Sequence, residues 1–165
     1  MGAKWQGRLL LVEDESLLRG LIAQFLRSEG FELVEAADGR EGVEHYATLG
    51  PFDIVLLDLN LPVFSGVEVC RRIKQLHPGQ PVIICSAAIL DGHMAALESL
   101  NVDQFLSKPY HPKELLNRIA IEFERAAHPR GESPEHLCAL ASRRADRAHA
   151  NTGRSHTLFK LPAID

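Results

Sequence analysis

Residues 54–57, Ile-Val-Leu-Leu, form an unbroken apolar run inside FDIVLLDLNLP (residues 52–62), and the run stops abruptly on a carboxylate, Asp58. A strand with one wet face alternates apolar and polar residues. A run without alternation, bounded by turn formers, predicts a strand buried on both faces. Such strands belong to parallel sheets with helices on both sides. In open α/β sheets ligands bind just beyond the carboxyl ends of the strands, where Asp58 would stand. Asp58 is therefore a candidate functional acid.

The rest of the chain repeats this theme. Residues 8–12 form a run that is apolar after Arg8 and closes on Glu13 and Asp14, after which Leu17, Leu18, Leu21, Ile22, Phe25 and Leu26 recur at helical spacing up to Gly30. Residues 31–36 predict a second, weaker strand, and Asp38 predicts the cap of a helix running to Leu49, with Gly50-Pro51 as its stop. Beyond the strand at 52–58, Val67, Val69, Cys70, Ile73 and Leu76 give a helical stripe ended by His77-Pro78-Gly79. Residues 81–86 (PVIICS) predict a fourth strand, 91–100 a short helix and 102–106 a fifth strand. Residues 112–125 predict a last helix with Leu115, Leu116, Ile119 and Phe123 on one face. Five strands alternating with five helices imply right-handed crossovers and a doubly wound α/β fold, a parallel sheet between two helical layers.

With 165 residues, 45% of them hydrophobic, the chain can bury one good core and carry an appendage. The division predicted is a domain at 1–125 and a tail at 126–165. Residues 1–125 hold 12 Lys and Arg against 18 Asp and Glu, and residues 126–165 hold 6 against 4, so an acidic body carries a mildly basic tail. That sign argues against direct nucleic-acid binding by the body. The tail begins with a Pro- and Gly-rich linker, HPRGESPEH, and its next stretch predicts a helix at about 134–150 with Leu137 and Leu140 on a narrow apolar side. It is too short for a winged-helix output domain and shows no helix-turn-helix pattern. Cys70, Cys85 and Cys138 are widely spaced, and two of them sit in apolar segments, which predicts buried reduced thiols and a cytoplasmic setting. No apolar run approaches the ~18 residues of a membrane span, so no membrane insertion is expected. His128, His136, His149 and His156 show no metal-ligand spacing.

Glu13, Asp14, Asp58, Ser86 and Lys108 each lie at, or just past, the end of a predicted strand and would converge on one shallow site. Three crowded carboxylates repel, and one would be pushed toward neutrality unless a cation sat among them. Such oxygen ligands suit Mg²⁺. Lys108 adds a point positive charge and Ser86 a hydroxyl donor, both fitted to phosphoryl oxygens. The set describes a phosphoryl-accepting carboxylate with its metal.

The segments LLVEDE, VLLDLNLP, IICSA and FLSKPY, in this order and spacing, closely resemble the receiver domain of two-component response regulators, over about residues 8–124. The resemblance implies a flavodoxin-like sheet of order 2-1-3-4-5. It implies that Asp58 accepts a phosphoryl group from a sensor histidine kinase or a phosphotransfer protein. Asp14 would be the more direct Mg²⁺ ligand, Glu13 would act mainly through water, and the backbone carbonyl of Asn60 would be the third protein ligand. Ser86 would move toward the phosphoryl group with Lys108 as its cationic partner, Phe105 would be a rotating aromatic switch, and the Lys108-Pro109 peptide would be cis. The product is a stand-alone regulator that signals to a downstream protein target, the contact face drawn from residues 91–100, 102–106 and 112–125, with a homodimer left open.

Two residues depart from the commoner pattern. Glu13 replaces the usual Asp of the first acidic position, and Ala88 offers no side chain to orient a hydrolytic water, which predicts slow self-dephosphorylation. Two rival readings stand beside the leading one. A haloacid-dehalogenase-type phosphatase also places a nucleophilic Asp after a buried strand, but it wants a second Asp two residues on, where this chain has Asn60. The other rival is an interaction module that works irrespective of phosphate, with Leu137, Leu140, Leu158, Phe159 and Leu161 of the tail covering another surface.

Overall fold

In a computed structural model that describes residues 5–88 and 91–127, the chain folds as five strands and five helices in strict alternation. The strands are β1 (Arg8–Val12), β2 (Glu32–Ala36), β3 (Ile54–Leu57), β4 (Val82–Ser86) and β5 (Gln104–Ser107). The helices are α1 (Ser16–Ser28), α2 (Gly39–Leu49), α3 (Gly66–Leu76), α4 (Asp91–Ser99) and α5 (Pro112–Ala127). The expected tail helix, Cys138, the four tail histidines and the apolar tail residues lie outside the described residues.

All pairings are parallel, in the order β2-β1-β3-β4-β5. The expected sheet is thus present. β5 starts two residues later than expected: Val102 is buried in the loop before it, and the ladder with β4 begins at Gln104.

Strand alternation divides the core into two clusters, because successive side chains point to opposite faces. Leu10, Val12, Val55, Leu57 and Ile84 pack with Tyr46, Val69, Ile73 and Leu97, which places α2, α3 and α4 on one face. Leu9, Leu11, Ile54, Leu56 and Ile83 pack with Ile22, Leu26, Leu115 and Ile119, which places α1 and α5 on the other. Residues 54–57 are at most 1% exposed, which explains the missing polar alternation. Burying each such side chain contributes about 1.5–3 kcal/mol. A polar residue here would face a helix layer on either side.

Helix starts follow local chemistry. Asp38 Oδ1 accepts from the Glu41 amide at 2.8 Å, and Ser65 Oγ accepts from the Glu68 amide at 3.4 Å, so α2 and α3 begin on side-chain caps. α1 begins at Glu15 with no side-chain cap from that residue. Cys70 and Cys85 are buried free thiols, as their apolar surroundings predict. No described helix is long and apolar enough to cross a membrane.

Candidate functional site

The sheet ladder sets the site. The Glu13 amide donates to Ala36 O and the Asp58 amide to Val12 O, each at 3.1 Å, so both carboxylates leave the sheet one residue past its last paired positions. The Lys108 amide donates to Ser86 O at 3.0 Å, which ties the end of β5 to the end of β4. Backbone hydrogen bonds thus bring Glu13, Asp58, Ser86 and Lys108, from four strand ends, to one edge, with Asp14 following Glu13 in the chain. The Lys108-Pro109 peptide is cis, as expected.

Lys108 crosses the site. Its Nζ donates to Glu13 Oε2 at 2.6 Å and also to Asp58 Oδ2. Glu13 is 2% exposed and Asp58 6%, whereas Asp14 is exposed. Carboxylate oxygens of Glu13, Asp14 and Asp58 lie within 4.8 Å of one another. Asp58 Oδ1 accepts from the Asn60 amide at 3.0 Å, so that loop is folded back onto the acid. Ser86 is fully buried and its Oγ donates to Ala88 O at 3.2 Å. Phe105 is half-buried against the α2-α3-α4 core cluster.

The electrostatics match this crowding. Burial pushes the Glu13 carboxyl above the usual range, and the Lys108 hydrogen bond and charge do not fully offset it. Burial works to lower the Lys108 ammonium, but its hydrogen bonds to Asp58 and Glu13 outweigh that and raise it. Behind the site, burial drives the Cys85 thiol up to about 12, which makes it inert at neutral pH.

Could this set hold a metal? The donors are all hard oxygens, three carboxylates clustered with a cation already drawn among them, and that chemistry fits an oxygen-preferring divalent ion. The acidic cluster can therefore bind a metal.

One residue that the sequence reading passed over matters here. A Cβ at Gly66 would stand 2.1 Å from Asp58 O and 2.6 Å from Leu59 Cα, so the start of α3 packs directly on the backbone of the candidate acid. A glycine closing a tight loop was the only sequence signal for it.

A family profile for the response regulator receiver domain matches residues 9–120. The chain belongs to that family. Its relatives bear the receiver domain in different settings. The chain is similar to chemotaxis protein CheY of Thermotoga maritima, 31% identical over 117 residues that cover 68% of this chain and 97% of that protein. It is similar to the alkaline phosphatase synthesis transcriptional regulatory protein SphR of Synechococcus elongatus, 30% identical over 135 residues, 77% of this chain and 52% of SphR. The chain thus spans about half the length of such transcriptional relatives. Among solved structures, the CheX-CheY-BeF3-Mg²⁺ complex from Borrelia burgdorferi aligns with a TM-score of 0.66 at 29% identity, over 70% of this chain and 88% of that one. Receiver domains are phosphoacceptor signalling modules rather than enzymes with turnover on a separate substrate. In this receiver Glu13 and Asp14, Asp58, Ser86 and Lys108 stand at the ends of β1, β3, β4 and β5.

Proposed function

We propose that this receiver domain accepts a phosphoryl group on Asp58 from the phosphohistidine of a histidine kinase or phosphotransfer protein, and signals through protein contacts that depend on it. The carrying observation is Lys108, which joins the otherwise repelling carboxylates of Glu13 and Asp58 from the end of the edge strand β5. In the transfer, Asp58 Oδ forms the new P–O bond while the P–N bond to the donor imidazole breaks, its electron pair staying on nitrogen. A carboxylate is a modest nucleophile, so positioning and charge neutralisation supply the rate. Lys108 offers charge to the incoming phosphoryl oxygens, and the Ser86 hydroxyl can leave Ala88 O to donate to them. Mg²⁺, held by Glu13, Asp14, Asp58 and the Asn60 carbonyl, would neutralise further charge there; the Mg²⁺ of the similar Borrelia complex supports this. Phe105 in β5, half-buried against the α2-α3-α4 core cluster, would be the aromatic that repacks when Ser86 moves.

The wider reading is a stand-alone cytoplasmic regulator, residues 1–125 as receiver and 126–165 as a separate tail, acting on a protein target with no direct nucleic-acid contact. The match across nearly all of Thermotoga CheY supports the stand-alone form, and the profile's limits support the division.

The test is phosphorylation by a small acyl-phosphate donor with Mg²⁺, read by intact mass. One phosphoryl group per chain is expected, lost in Asp58→Asn. Incorporation that survives Asp58→Asn defeats the proposal, no incorporation favours a phosphate-independent module, and many turnovers on a small ester favour a phosphatase.

A further inference from the structure

The acidic corner that would hold the metal is also the start of α1, and that start lacks the side-chain cap that fixes α2 and α3. The Glu15 amide finds only Glu13 Oε1, at 3.3 Å, a carboxylate with other duties. What holds the corner instead comes from one turn along the helix. Arg19 Nη1 donates to Glu13 O at 2.7 Å and reaches Asp14 O at 3.4 Å, so one guanidinium grips both peptide carbonyls of the acidic pair. Its other side is held as well: Arg19 Nε lies 3.7 Å from Glu35 Oε2, and Glu35 Oε1 accepts from Arg27 at 2.8 Å. The Arg19 side chain is 18% exposed. An arginine one turn from the helix start gains nothing from the helix dipole, which favours anions at that end. Its placement therefore calls for a reason other than helix stability.

We propose that Arg19 is a positioning residue for the metal-binding corner: by clamping the carbonyls of Glu13 and Asp14 against β2, it aims their carboxylates into the site. The inference rests on the phosphoacceptor reading above and deepens it. Groups that orient metal ligands from behind typically change metal affinity 10–100-fold when lost. A sign separates this role from simple charge. A nearby cation repels Mg²⁺, so if Arg19 acted only through space, removing it would tighten binding. If Arg19 positions the ligands, removing it weakens binding.

The experiment titrates the full chain with Mg²⁺ alone by calorimetry, alongside thermal unfolding. Arg19→Met keeps the aliphatic stem and is expected to weaken Mg²⁺ binding about tenfold. Arg19→Lys, which can reach the carbonyls but cannot also hold Glu35 as the guanidinium does, should recover part of the loss, and Glu35→Gln should cause a smaller loss than Arg19→Met. Arg125→Met removes an ion pair with Asp103 on the opposite end of the fold and should leave Mg²⁺ affinity unchanged while lowering stability. Affinity unchanged or tightened in Arg19→Met overturns the proposal. Should that variant fail to fold, wild-type affinity in both Arg19→Lys and Glu35→Gln overturns it equally. A wild-type chain that takes up neither Mg²⁺ nor phosphoryl groups fails differently: it removes the phosphoacceptor reading and this one with it.

Discussion

Lys108 Nζ stands 2.6 Å from Glu13 Oε2, two residues 95 positions apart in sequence joined inside a site where Glu13 is almost wholly buried. The contact extends to Asp58, so one ammonium balances two carboxylates that their mutual repulsion would otherwise drive apart. The unphosphorylated fold therefore depends on the same lysine that phosphoryl transfer would use.

Lys108→Met should cost about 3 kcal/mol at neutral pH, since removing one member of a buried ion pair leaves the other charges uncompensated. Urea denaturation would read the loss. Combining it with Asp58→Asn should restore much of the stability, because the repelling partner of Glu13 is then gone. Additive losses in the double variant would show that the lysine acts elsewhere.

The alkaline limb of stability should carry the mark of Cys85. Burial raises its thiol from the ordinary 9.0 to about 12, so between these values the unfolded chain releases a proton that the folded chain keeps. Stability therefore falls as pH rises through that window. Cys85→Ala should flatten the slope. Site-resolved alkylation at pH 8 should find Cys85 and Cys70, itself raised to about 11, unreactive until the chain unfolds.

Gly66→Ala and Gly79→Ala form a matched pair. The first drives a methyl group into the Asp58 carbonyl and should cost about 3 kcal/mol and slow phosphoryl uptake. At Gly79 nothing lies within 4 Å, and the same change should be neutral. Equal behaviour of the two would show that the loop gives way.

Ala88 is exposed, and its carbonyl takes the Ser86 hydroxyl. With only a methyl there, Ala88 itself offers no side chain to orient a water. Ala88→Glu should shorten the aspartyl-phosphate lifetime about tenfold, below the ~10²–10⁴ of full general-base catalysis. Decay of radiolabelled protein after donor removal measures it, and equal lifetimes would remove Ala88 from the account.

Much of the fold was legible in residue order. The unrelieved apolar run of residues 54–57 and its counterpart in β4 identify strands buried on both faces, and Asp38 marks a helix start through its side chain; the Ser65 cap of α3 emerged only in the structure. The exposed Leu17 and Leu21 show the reverse: helical spacing placed them on an apolar stripe, yet they are 70% and 57% exposed, because the stripe of α1 is wider than the sheet face it covers. Periodicity identifies a stripe, not how much of it is used.

The amino-acid sequence by itself determined which residues end on chemistry: Glu13, Asp14, Asp58, Ser86 and Lys108 each follow an apolar strand, and the rules of parallel sheets bring strand ends together. Only the tertiary structure decided that Lys108 spans Glu13 and Asp58, that Gly66 must be bare because Asp58 O lies against it, and that Arg19 turns back to grip the corner ahead of its own helix. These are contacts of side chains with distant side chains or with backbone. Strand and helix periods specify where a Cα sits along an element, whereas such contacts depend on how far the sheet twist and loop geometry carry one element toward another.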